Sequence, residues 1–178
     1  ILDVLQNYTT YRSYYKLIKT VEDNPNYDVN SAQRKLRRYV EGHEYAIAQK
    51  ARITIDHFMQ EVKHLIGGRA KAMVVTSSIL NAIKYKETFD SYLKELNSPY
   101  KAIIAFSGKK QYKGIEVSEA DLNKFPDNDN DIPRQFKKDV YKFLIVAEKF
   151  QTGFDQPLLH TMYVDKKLQG VLAVQALS

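Results

Sequence analysis

The chain has 178 residues, 44% of them apolar and 12% aromatic, enough for a real hydrophobic core in one domain or one domain with an appendage and too apolar for a disordered chain. A formal charge of +6 is compatible with a polyanionic partner without establishing one, and the absence of cysteine excludes disulfides and thiolate metal sites. No apolar run approaches the roughly 18–20 residues that span a bilayer, and the N-terminal ILDVLQNYTTYRSYYK lacks the charged start, apolar middle and cleavage site of a signal peptide. The expectation is a soluble, cytoplasmic protein without a membrane partner. The start at Ile1 rather than Met adds the expectation of a fragment or a processed product.

Two unlike halves follow in chain order. YTTYRSYYKLIK, residues 8–19, is rich in Thr and Tyr with partial alternation, which predicts a strand with one face partly exposed. The polar loop VEDNPNYDVNS ends at Asn30 and Ser31, either of which can cap a helix. RKLRR, residues 34–38, suits DNA phosphates or a solvated helix face. Over 43–66, Ile47, Ala51, Ile55, Phe58, Met59, Val62, Leu65 and Ile66 recur at three- and four-residue steps and share one helical face. Gly67-Gly68 supplies the stop.

From Lys71 the texture changes to short apolar runs: AMVVT (72–76), AIIAF (102–106), FLIVA (143–147) and TMYV (161–164). Strands buried on both faces of a parallel sheet read this way. Leu80, Ile83, Phe89, Tyr92, Leu93 and Leu96 mark a helix over about 79–96 with Ser77 or Ser78 as its cap. Residues 108–142 predict two short helices, the first opened by a capping box at Ser118–Asp121, split by a mobile acidic loop at 127–131. The tail LQGVLAVQALS begins another helix. This is strand–helix alternation, an α/β open parallel sheet with helices on both faces.

Ligands of such sheets collect at the carboxyl ends of the strands, and three exits here are polar: Thr76-Ser77-Ser78, Phe106-Ser107-Gly108 and Lys149–Pro157. Hydroxyls, free N–H groups and a close-approach glycine suit a phosphate or sugar–phosphate backbone. They equally suit a helix cap and a tight turn. Gly153 and Asp155 are open in the same way, between a turn before Pro157 and a carboxylate offered to ribose hydroxyls. His43, His57, His64 and His160 form no HExxH pair, so packing or surface roles are expected and no metal site. There is no GxxxxGK[ST] loop to cradle phosphates and magnesium, and no set of nucleophile and base for covalent catalysis. Any nucleotide site here is half a site.

FLIVAEKFQTGFDQPLLHTMYVDKKLQGVLAVQALS resembles motifs V and VI of the motor (restriction) subunit of type I restriction–modification enzymes, which are superfamily 2 helicase-like translocases. KAMVVTSS is similar to motif IV, YKAIIAFSG echoes FKAxxAFSG, and ILDVLQNYTTY resembles the stretch after the first motor domain. The resemblance implies a second RecA-like domain over 71–178, ending within motif VI, after a strand and helical extension over 1–70. It further implies part of an ATP-dependent type I site-specific deoxyribonuclease that translocates double-stranded DNA. ATP and magnesium would be held mainly by a first RecA-like domain, and the partners would be methyltransferase and specificity subunits. By position, Gly153 and Asp155 match motif V and Gln175 and Ser178 open motif VI, all toward nucleotide. Thr76 and Ser77 match motif IV, and with Ser107, Gly108, Lys149, Gln151 and Thr152 they would meet the DNA backbone. Glu148 departs from the threonine common in helicases. The motif VI arginines, whose counterparts elsewhere contribute roughly 10³–10⁵ in rate, would follow Ser178, so no catalytic residue is expected here and the chain alone should be inactive. A non-enzymatic nucleic-acid-binding or subunit-docking module is the alternative.

Overall fold

A computed structural model describes residues 43–147, 149–150 and 154–166. The expected strand at 8–19, the cap at Asn30 or Ser31, the RKLRR cluster, Glu148, Gln151, Thr152, Gly153, Gln175, Ser178 and the tail helix lie outside the described residues. Compactness divides the chain between Ala46 and Ile47, and the sheet with its helices belongs to the unit from Ile47 onward.

Helix α1 (Glu44–His57) runs into a wider turn, Phe58–Val62, in which the Lys63 N–H reaches back to the Phe58 carbonyl at 2.8 Å. Ile47, Ala51, Ile55, Phe58 and Val62 are buried, as their spacing predicts. Leu65 and Ile66 depart from that prediction, each being 38% exposed. The regular helix has already ended, and Ile66 and Gly67 take left-handed φ values of 50° and 63° inside the short turn α2 (Leu65–Gly68), so the stripe cannot continue.

Four parallel strands make the main sheet: β1 (Lys71–Thr76), β2 (Lys101–Ala105), β5 (Tyr141–Val146) and β6 (Leu159–Asp165), in the order β2-β5-β1-β6. The inner strands β1 and β5 are buried at every residue, which is why they read as unbroken apolar runs. Strand β6 corrects the expectation of burial on both faces: among the described strands it is an outer one, and its residues are partly exposed, with Val164 36% exposed. A run of four apolar residues cannot distinguish an inner strand from an outer one.

Helix α3 (Ile79–Glu95) joins β1 to β2 and starts where the Ser78 Oγ accepts the Asn81 N–H at 3.2 Å. It packs with α1 on one face of the sheet, where Phe58, Phe89, Ala72, Val74 and Phe143 share a core. The other face carries Met73, Val75, Ile103 and Leu144 under Phe125, Ile132 and Phe136. Alternate strand residues thus feed opposite cores.

Between β2 and β5 the chain forms an element that apolar patterning did not reveal, a hairpin of β3 (Lys109–Tyr112) and β4 (Ile115–Ser118). Its two-residue turn has positive φ at Lys113 (50°) and Gly114 (83°), as tight hairpins with the sheet's twist require. The capping box forms: the Ser118 side chain takes the Asp121 N–H and the Asp121 carboxylate takes the Ser118 N–H, opening α4 (Glu119–Asn123). Before α5 (Ile132–Lys137), the acidic loop is stitched rather than loose. Gln135 Nε2 donates to Asp127 Oδ1 and to the Asp129 carbonyl at 2.7 Å each, and Lys138 pairs with Asp127 at 2.7 Å. The Lys138 ammonium holds the Asp127 carboxyl down at about 2.

At the amino ends of the inner strands two lysines are wholly buried. Lys71 Nζ donates to the Lys138 and Tyr141 carbonyls at 2.9 and 2.6 Å, and Lys142 Nζ donates to the Gly68 carbonyl at 3.1 Å and Asp139 at 2.6 Å.

Candidate functional site at the carboxyl edge of the sheet

Because all four strands are parallel, their carboxyl ends fall on one edge. The exits predicted separately from sequence, after β1, β2 and β5, are therefore neighbours. From β1 the chain turns onto the face covered by α3. From β5, its neighbour, it turns onto the opposite face, where Phe150 and Phe154 pack. Adjacent strands that send the chain to opposite faces open the crevice in which such sheets bind ligands.

Thr76 is buried at 1% exposure, and its Oγ1–H faces the Val146 carbonyl at 3.0 Å and the Ser78 carbonyl at 3.1 Å. Its hydroxyl therefore pins the β1 and β5 exits together and is not presented to solvent. Ser78 is the cap, while Ser77 is exposed, its Oγ accepting from Asn81 Nδ2 at 2.9 Å. Ser107 and Gly108 are exposed after β2. Gly108 has φ of 76° with nothing within 4 Å of an added Cβ, so the turn demands glycine while the space above it is open.

Lys149, half-buried after β5, is held by both oxygens of Glu119, at 2.7 and 3.0 Å. Glu119 Oε2 also accepts the Phe106 N–H at 3.0 Å. One carboxylate thus joins the β2 exit, the start of α4 and the β5 exit, and any phosphate seeking Lys149 competes with it. Sequence reasoning missed Glu119, which reads only as an acidic residue in a helix's first turn. Four residues on, Asn123 takes the Ile104 N–H at 2.9 Å and donates to its carbonyl at 2.8 Å. Replacing Glu119 with Ala leaves the Phe106 N–H and the Lys149 ammonium without their acceptor, an expected loss of about 1–3 kcal/mol. Urea denaturation checks this, and Glu119→Gln, which keeps the bond to Phe106, should recover part of it.

Asp165 closes β6 and was also missed. It accepts from Lys50 Nζ at 2.6 Å and from the Tyr85 hydroxyl at 2.8 Å, tying α1 and α3 to the strand end. Burial, and then the Asp165 charge, push the Tyr85 phenol far up, so it stays a donor.

The structure brings Ser77, Ser107, Gly108 and Lys149 to one edge. Asp155 is exposed on the return leg of the crossover, one residue before the turn in which the Leu159 N–H bonds the Gln156 carbonyl at 2.9 Å. The side chain in that turn is Gln156, whose Oε1 accepts the Leu158 N–H at 3.3 Å. Asp155 is not spent on it. Among the described residues no group of His, Asp and Glu is placed to hold a metal ion, and no helix is long and apolar enough to cross a membrane.

Comparison with known proteins adds the family. Residues 109–178 match the family described as type I restriction enzyme subunit R domain 3. The MjaVIIP type I restriction enzyme endonuclease subunit of Methanocaldococcus jannaschii is 28% identical over 176 residues, covering 85% of this chain and 16% of the relative. The MjaIXP subunit of the same organism is 30% identical over 146 residues, covering 81% of this chain and 13% of the relative. A Staphylococcus aureus type I restriction enzyme endonuclease subunit is 31% identical over 133 residues, covering 60% of this chain and 14% of the relative. The chain spans only these small shares of the curated relatives it matches. Family match and relatives agree: this chain belongs to the endonuclease (R) subunits of type I restriction enzymes.

Proposed function

We propose that the chain forms the second RecA-like half of an ATP-dependent motor that translocates double-stranded DNA within a type I restriction endonuclease. The observation that carries this reading is the set of polar strand exits on one edge of a parallel sheet, in a sequence without a phosphate-cradling loop. Such a sheet completes a nucleotide site rather than building one. ATP and magnesium would be held mainly by a P-loop domain facing this edge, with Gly153, Asp155, Gln175 and Ser178 on the nucleotide side. Ser77, the Ser107–Gly108 backbone, Lys149, Gln151 and Thr152 would hold phosphates of one DNA strand, and Thr76 would serve them from behind by fixing the two strand ends. Backbone contacts carry no base information, so tracking would be independent of sequence, with site choice left to a specificity subunit and modification to a methyltransferase subunit. The work would take place in the cytoplasm, and this chain alone would turn over no ATP.

Asp155→Ala in the full-length subunit tests the reading. Loss of a charge-assisted hydrogen bond of about 1.5–3 kcal/mol should lower ATP hydrolysis and translocation by about tenfold or more, with DNA affinity nearly unchanged. Intact ATPase with weakened DNA binding would overturn the motor assignment in favour of a non-enzymatic nucleic-acid-binding module.

A further inference from the structure

Strand β2 lies at one side of the sheet, so among the described residues its outward backbone groups have no neighbouring strand. Successive residues of a strand send their N–H and C=O groups to opposite sides. The inward set includes the Lys101 N–H, bonded to the Val140 carbonyl, and the Ala105 carbonyl, bonded to the Ala147 N–H. The outward set is therefore residues 102, 104 and 106. Asn123 satisfies both groups of Ile104, and Glu119 satisfies the Phe106 N–H. Helix α4 thus caps two of the three outward positions and stops short of the third. Ala102, only 3% exposed, lines a cavity of about 430 Å³ between α3, α4 and the start of β2.

The rim of that cavity is basic. Lys86, Lys94, Lys101 and Lys124 line it against one carboxylate, Asp90. Lys86 Nζ bonds Asp90 Oδ1 at 2.7 Å, while Lys94, Lys101 and Lys124 form no salt bridge among the described residues. Leu93 and Leu122 supply apolar lining. A free phosphate would use the lysines but be repelled by the Ala102 carbonyl. An extended peptide uses both halves of the edge, donating to the carbonyl and accepting from the N–H as an added strand does. Its acidic side chains would then reach the lysines.

We propose that this cavity is a receptor for an extended acidic segment of a partner polypeptide, which pairs with the backbone of Ala102 and places carboxylates on Lys94, Lys101 and Lys124. The site lies at the amino half of β2, away from the strand exits, and does not depend on the motor reading.

The test uses the full-length protein and a fluorescently labelled peptide of alternating Glu and Val, followed by anisotropy. Saturable binding is expected, with none for the same peptide carrying Lys in place of Glu. Lys94→Glu with Lys101→Glu should weaken binding by about tenfold or more. Ala102→Pro, which removes the edge N–H, should also weaken it by about tenfold. Should that variant fail to fold, an N-methylated peptide lacking alternate backbone donors replaces it and must bind at least about tenfold more weakly than the parent. Absence of binding by the acidic peptide overturns the proposal. So does binding indifferent to the charge reversals, or a peptide displaced by inorganic pyrophosphate and insensitive to backbone N-methylation, which would mark a general anion site.

Discussion

Replacing Phe143 with alanine is expected to cost about 3–5 kcal/mol of folding stability, a large share of the roughly 5–15 kcal/mol typical of a domain. The ring is fully buried on an inner strand, 4.5 Å from Phe58 and 5.1 Å from Phe89 between centroids. Its cross-strand partners on both sides are alanines, Ala72 on β1 and Ala102 on β2. A single large side chain therefore fills space that its neighbours do not reach, and main-chain hydrogen bonds on both sides keep the backbone from closing the hole. Urea unfolding followed by far-UV circular dichroism should show a lower midpoint with an unchanged slope. Phe143→Leu, which preserves most of the volume, should cost less than about 1.5 kcal/mol. Equal losses for the two substitutions would show that the aromatic contacts, rather than the filled volume, carry the stability.

Stability should rise as pH is raised from about 8 toward 10. Burial, and then the neighbouring Lys142 charge, lower the Lys71 ammonium from 10.5 to about 8, against a smaller opposing pull from Asp139. Between those values the unfolded chain holds a proton that the folded chain has released, so raising the pH favours the folded state. Each tenfold difference in proton affinity between the two states is worth about 1.4 kcal/mol, so the gain across the window is on the order of 2 kcal/mol. The climb ends near pH 10, because burial raises the Tyr163 phenol to about 12. The unfolded chain ionises that group first, and folding then loses ground. Denaturant midpoints measured from about pH 7.5 to 10.5 check the shape of the curve, and Lys71→Met should flatten its rising limb. A rise that survives in the Lys71→Met variant would assign the effect to another group.

The strands and helices legible in the sequence are those whose burial is one-sided or complete. Ile47, Ala51, Ile55, Phe58 and Val62 announced a face, and FLIVA announced an inner strand. The β3–β4 hairpin escaped because its residues are mostly exposed and only Lys113-Gly114 marks its turn. For the candidate site, the polar character of the exits was readable, as was the choice at Ser77 and Ser78 between cap and site. That Ser78 caps while Ser77 is exposed was not.

By itself the sequence determined the class of the sheet, the positions of its strand exits and the family to which the motifs point. Each of these is written in local periodicity or in contiguous residues. Tertiary structure alone decided that the helix before Lys71 shares the core of the sheet, because an apolar stripe states that a face is buried and not against what. It also decided that β6 is only partly buried, that Thr76 faces inward, and that Glu119 and Lys149, thirty residues apart, share one ion pair. Such facts depend on strand order and on which chain segments meet, and no local pattern encodes a distance between residues brought together only by folding.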